Sequence, residues 1–113
     1  MKQILTLKLN KEFKRAYFQG KYKPHPLLVT YMVKNKGKEV RYGITTSKKI
    51  GSAVLRNRAR RIIRTAFIEL VQQGEIEGNG YDFVFVARTE TPSSKTQQIK
   101  ALMKKQILTL QKR

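Results

Sequence analysis

The chain has 113 residues, the length of one domain with a modest core, and it carries 25 lysines and arginines against 7 acidic residues, for a formal net charge of +18. That excess points to a polyanionic partner and leaves the unbound chain under strong self-repulsion. Disulfides and thiolate metal sites are excluded by the absence of cysteine, no apolar run is long enough to span a bilayer, and residues 1–8 lack a signal core or cleavage site, so a cytoplasmic protein is expected.

In chain order, Asn10 is placed to cap a helix over Lys11–Gln19, with Gly20 just past its end. Phe13, Ala16 and Tyr17 share one face of that helix, and on this segment alone they read as core packing. Lys21–Pro26 reads as a connector, because two prolines flank His25. Leu27–Lys34 is a predicted strand with Leu27, Val29, Tyr31 and Val33 on one face and Leu28, Thr30 and Met32 on the other. Asn35-Lys36-Gly37-Lys38 reads as a hairpin turn into a returning strand, Val40–Thr46, giving an antiparallel pair. A turn then feeds a helix capped by Ser52, running to about Gln73 and ended by Gly74. Gly74–Gly80 is a polar loop, and Tyr81–Ala87 is apolar enough for a strand covered on both faces. Ser94-Lys95-Thr96-Gln97 fits a capping box for a last helix to about Gln111, whose buried stripe is Ile99, Leu102, Met103, Ile107 and Leu110. This order predicts an α+β or α/β sandwich, with helices against one small sheet.

The helix after Ser52 breaks a local rule. Leu55, Ala59, Ile62, Ile63, Ala66, Phe67 and Leu70 form its apolar stripe. At roughly 100° per residue, Arg56, Asn57, Arg60, Arg61 and Arg64 fall on one adjoining arc, and Arg58 lies on the far flank. A helix start disfavours cations. Arg56/Arg60 and Arg60/Arg64 repel at i,i+4 by a few tenths of a kcal/mol each, and no carboxylate offsets them before Glu69. An external polyanion relieves the conflict, since phosphates accept guanidinium forks. One such arginine is an ordinary solvated surface group; this density, directly after Lys48-Lys49, predicts nucleic-acid binding.

Protein-based catalysis is not expected. The one aspartate and six glutamates are scattered, there is a single histidine, and no phosphate-binding glycine loop is present. A structural ribosomal protein, or a nonspecific DNA-compacting or anionic-membrane-binding protein, is also compatible with the charge.

The run Gly43-Ile44-Thr45-Thr46-Ser47-Lys48-Lys49-Ile50-Gly51-Ser52-Ala53-Val54-Leu55-Arg56-Asn57-Arg58-Ala59-Arg60-Arg61-Ile62-Ile63-Arg64 closely resembles the signature of the bacterial ribonuclease P protein subunit. Glu12-Phe13 with Tyr17, Leu28-Val29-Thr30-Tyr31 and Gly80-Tyr81-Asp82 extend the likeness from about Asn10 to the final helix. The resemblance implies a small α+β sandwich in α-β-β-β-α-β-α order over residues 1–113, helices packed on a central mixed sheet, with an unusual left-handed βαβ crossover (ribosomal protein S5 domain 2-like). It implies the accessory subunit of an endoribonuclease whose catalytic RNA, with Mg2+ bound mainly by that RNA, removes the 5′ leader from precursor tRNA. On this resemblance Lys48, Lys49, Arg56, Asn57, Arg58, Arg60, Arg61 and Arg64 contact the catalytic RNA, while Phe13, Tyr17 and Tyr31 line a cleft for the single-stranded leader. That replaces the core-packing reading of the two helix aromatics. No protein metal site, membrane or DNA partner is implied. Departures from the family pattern are Arg60 where lysine is common, Thr46 for a usual aliphatic residue, and Pro24-His25-Pro26.

Overall fold

The computed structural model describes residues 3–112, in the order β1 (Ile4–Thr6), α1 (Asn10–Gln19), β2 (Lys21–Lys23), β3 (Leu28–Lys34), β4 (Val40–Thr45), α2 (Ala53–Gln72), β5 (Tyr81–Ala87) and α3 (Thr96–Gln111). Short 3-10 turns at Lys48–Ile50 and Thr91–Ser93 precede α2 and α3. The expected α+β architecture stands: three helices lie on one mixed five-stranded sheet of order β1-β4-β5-β3-β2.

β5 sits in the middle, as its unbroken apolar sequence requires. It pairs antiparallel with β3 and parallel with β4. This corrects the expected β3–β4 hairpin. Asn35 to Glu39 arches over the start of β5, with the Asn35 N–H donating to the Gly80 carbonyl and the Gly80 N–H to Glu39. Alternation fixes which face a strand buries but not which strand lies beside it. Two further strands complete the sheet. β1 pairs parallel with β4, and β2, read from sequence as connector, pairs antiparallel with β3 before Pro24.

Alternation divides the sheet into two faces. Met32 and Leu28 of β3, Val40 and Tyr42 of β4, and Phe83 and Phe85 of β5 meet α2 and α3 in the main core. The Phe67 ring lies 5.1 Å from Tyr42, 5.2 Å from Phe83 and 5.1 Å from Phe85. Burying such rings contributes about 1.5–3 kcal/mol each. Gln106 of α3 is buried where the stripe alone showed only apolar residues. It accepts from the Thr30 hydroxyl at 2.6 Å and donates to the Lys23 and Leu28 carbonyls, pinning α3 to β2 and β3. On the opposite face Ala16 of α1 clusters with Val84 of β5 and with Leu7.

Helix ends moved by a residue or so from expectation. Leu9, not Asn10, is the N-cap of α1, and the Glu12 carboxylate accepts from the Lys8 and Leu9 N–H groups at 2.9 Å each. At α3 the cap is Lys95, whose N–H donates to the Gln98 side chain rather than Gln97. Ser52 does cap α2, accepting from the Leu55 N–H at 3.4 Å. Leu55 itself is exposed, outside the buried stripe.

Candidate nucleic-acid interface

The basic helix is aimed by its own entry. Ile50 buries and anchors the 3-10 turn, leaving Lys48 and Lys49 exposed on it. Gly51 turns the chain at φ +130°, a conformation a side chain rarely adopts. Arg56 then reaches back to the Gly51 carbonyl at 2.6 Å. Arg60 donates to the Ile44 carbonyl at 3.2 Å and the Thr46 hydroxyl at 3.0 Å, so the polar Thr46 that departs from the usual aliphatic residue becomes an acceptor for the helix. Asn57, Arg58, Arg60, Arg61 and Arg64 are all exposed. Among the described residues no carboxylate pairs with any α2 arginine. The acids that form ion pairs do so elsewhere: Glu12 and Asp82 with Arg41, Asp82 also with Arg15, and Glu69 and Glu75 with Lys100 and Lys104 of α3.

The expected arc divides. Arg60 and Arg64 line a small concavity of about 230 Å3 together with Phe13, Gly43, Thr6 and Leu7. Arg58 and Arg61 instead border a separate hollow with Ser93, Lys95 and Thr96. Arg61 stands about 60° from Arg58 around the helix axis and about 100° from Arg60.

The aromatic side chains assemble on the α1 face of the sheet. Phe13 lies directly on Gly43, where an added Cβ would meet two ring carbons at 2.5 Å. The Tyr17 hydroxyl bonds Thr45 at 2.7 Å, and its ring meets Tyr31 edge to face at 5.0 Å. Tyr22, in the segment read as connector, is stacked on Tyr31 at 5.3 Å and 24°, with 52% of its surface exposed. Nothing in the sequence pattern singled it out. Its place opposite Tyr31 follows from the β2–β3 register. Burial, then the neighbouring Tyr17 and Tyr22, pushes the Tyr31 hydroxyl above the usual tyrosine range, so the Tyr31 ring stays neutral at physiological pH.

A charge network holds α1 over this face. Arg41 donates to Asp82 from Nε at 2.8 Å and Nη2 at 2.6 Å, and to Glu12 from Nη1 at 2.8 Å. Arg15 of α1 donates to the Lys34 carbonyl and lies 3.7 Å from Asp82. The Leu9 and Lys8 N–H groups, followed by Arg41, hold the Glu12 carboxyl below the ordinary carboxylate range. A lowered folded pKa means stability that is present above the unfolded value near 4.5 and lost as pH falls through the lower folded one. The melting temperature is therefore expected to hold from about pH 7 to pH 5 and to decline below that, with Glu12→Gln flattening the decline. Thermal melts across that range check it; an equally steep acid decline in the variant removes Glu12 as the cause.

The model of the Ribonuclease P family matches residues 1–111. The chain belongs to the ribonuclease P protein family. It is 42% identical over 99 residues to the ribonuclease P protein component of Pelotomaculum thermopropionicum, covering 88% of this chain and 86% of that one. With the Clostridium kluyveri protein component it shares 40% identity over 85 residues, 75% of each chain. Its fold matches the solved Staphylococcus aureus RNase P protein with a TM-score of 0.76 at 33% identity, over 95% of this chain and 94% of that one. The Thermotoga maritima RNase P protein shares the fold at a TM-score of 0.72 and 24% identity, over 96% of each chain. As a ribonuclease P protein component the chain is the accessory subunit of an endoribonuclease, and a structural ribosomal role is not favoured. Among the described residues no group of three or more histidines or acids is arranged to hold a metal ion, and no helix is long and apolar enough to cross a membrane.

Proposed function

We propose that this subunit binds the catalytic RNA of ribonuclease P through Lys48, Lys49, Arg56, Asn57, Arg58, Arg60, Arg61 and Arg64, and holds the single-stranded 5′ leader of precursor tRNA against Phe13, Tyr17 and Tyr31. One observation carries it: α2 exposes Arg58, Arg60, Arg61 and Arg64 with no carboxylate partner among the described residues. An external polyanion relieves the repulsion within such a surface, and RNA phosphates supply one in the cytoplasm, where the particle works. Mg2+ is assigned to the RNA, whose phosphate oxygens are the hard ligands that ion prefers. Hydrolysis then needs no side-chain base or nucleophile from the protein. Its part is electrostatic docking and positioning of the substrate.

The aromatic cluster suits a leader of varied sequence, because every base has a face that stacks. Stacking contributes about 1–3 kcal/mol per base, so with one stacked base the assembled particle should bind precursor tRNA roughly 5- to 150-fold more tightly with its leader than without. Tyr31→Ala is expected to abolish most of that gain and Tyr31→Phe to keep it. Binding titrations on leadered and leaderless RNA make the test. Equal affinity for the two RNAs with the unaltered protein would remove the leader-binding role.

A further inference from the structure

We propose that the hollow between the far flank of α2 and the start of α3 is a second phosphate-docking groove, taking the sugar-phosphate backbone of a separate segment of the partner RNA. The proposal rests on the reading of α2 as an RNA-binding helix and adds to it a site on a different element. Arg58, Arg61 and Thr65 stand at i, i+3 and i+7 on α2 and share with Ser93, Lys95 and Thr96 a concavity of about 520 Å3. No acidic residue lines it. Arg58, Arg61 and Lys95 are exposed, and among the described residues none of them is in an ion pair.

The opposite wall of the groove is held in place. Thr91, fully buried, donates its hydroxyl to the Leu27 carbonyl at 2.7 Å and accepts from the Arg88 N–H at 2.8 Å. That fixes the turn from which Ser93, Lys95 and Thr96 project. Three cations from two elements converge on one hydroxyl-lined hollow. Guanidinium forks and an ammonium suit the non-bridging oxygens of a phosphodiester, and hydroxyls suit its remaining acceptors. No base-reading group is needed, so the contact is independent of sequence. Arg60 and Arg64 face the other hollow, beside Phe13. The helix thus presents two cationic edges, and an RNA engaging both would straddle it.

The test uses the assembled ribonucleoprotein. Each lost phosphate contact should make the slope of log K against log salt shallower by about 0.7–0.9, so Arg58→Ala combined with Lys95→Ala should change it by about 1.5. Hydroxyl-radical footprinting of the RNA should show the pair of substitutions unprotecting a backbone segment different from the one that Arg60→Ala unprotects. Both side chains are exposed, and an unchanged melting temperature of the free protein confirms that the variant folds. If the pair leaves slope and footprint unchanged while Arg60→Ala alters both, the groove is an ordinary solvated surface and the proposal falls alone. If Arg60→Ala with Arg64→Ala is equally silent, the RNA-binding helix fails and takes the groove with it.

Discussion

Asp82→Ala is expected to destabilise the protein by about 3 kcal/mol, the low end of what removing one partner of a buried ion pair costs. Asp82 is 1% exposed and accepts from Arg41 twice and from Asn35 Nδ2 at 2.9 Å. Its loss leaves the Arg41 guanidinium, 26% exposed, with Glu12 as its acid partner, and adds one more positive charge to a chain already at +18. The retained Glu12 contact and partial access to water keep the penalty from the top of the range. The injury should also be local, because Arg41, Glu12 and Arg15 tie α1 to the sheet. Loosening that tie moves Phe13 and Tyr17 away from Gly43 and Tyr31. Urea unfolding gives the stability change, and leader-dependent binding gives the effect on the face. A loss below about 1 kcal/mol would show that water replaces the carboxylate and that the network does not hold α1.

What sequence alone disclosed follows from which physical signal each element carries. α2 was legible because a 3.6-residue period, Ser52 at one end and Gly74 at the other agree, and the structure ends it at Gln72 with Gly74 at φ +70°. β5 was legible because seven nearly continuous apolar residues suit burial on both faces. β2 was not, since Lys-Tyr-Lys before two prolines has no strand signature; only its pairing with Met32, Tyr31 and Thr30 makes it one. The strand order was hidden for a related reason. Asn35 looks like a hairpin residue, yet its side chain bonds both Glu39 and Asp82, spanning the inserted strand. At the candidate interface, the exposed arginines were readable from spacing. The meeting of Tyr17, Tyr22 and Tyr31 was not, because it joins a helix to two strands. Asp82 lies at the opening of the apolar β5 run, and the reason a carboxylate is buried there appears only once Arg41 of β4 is placed beside it.

Gly43→Val is expected to abolish leader-dependent binding and to lower stability by about 1–3 kcal/mol, the usual penalty for overpacking. Strand propensity argues for the opposite sign, since valine suits a strand better than glycine. The contact geometry decides against it. Even a single Cβ would stand 2.5 Å from two carbons of the Phe13 ring, and valine adds two methyls beyond it. Backing away is not open to Phe13. Ala16, one turn on, is fully buried on the sheet, and Glu12 is bonded to Arg41. The ring must therefore swing off the sheet, away from the hollow it shares with Arg60 and Arg64. Phe13→Ala in the same background should restore part of the stability, by removing the clash, and none of the leader dependence, because the ring is gone. The two substitutions are thus expected to be non-additive in stability and equivalent in binding. A double-mutant cycle read by urea unfolding, with leader-dependent affinity measured alongside, separates packing from recognition. Were the two stability losses simply to sum, the missing Cβ at position 43 would not be what makes room for the aromatic ring.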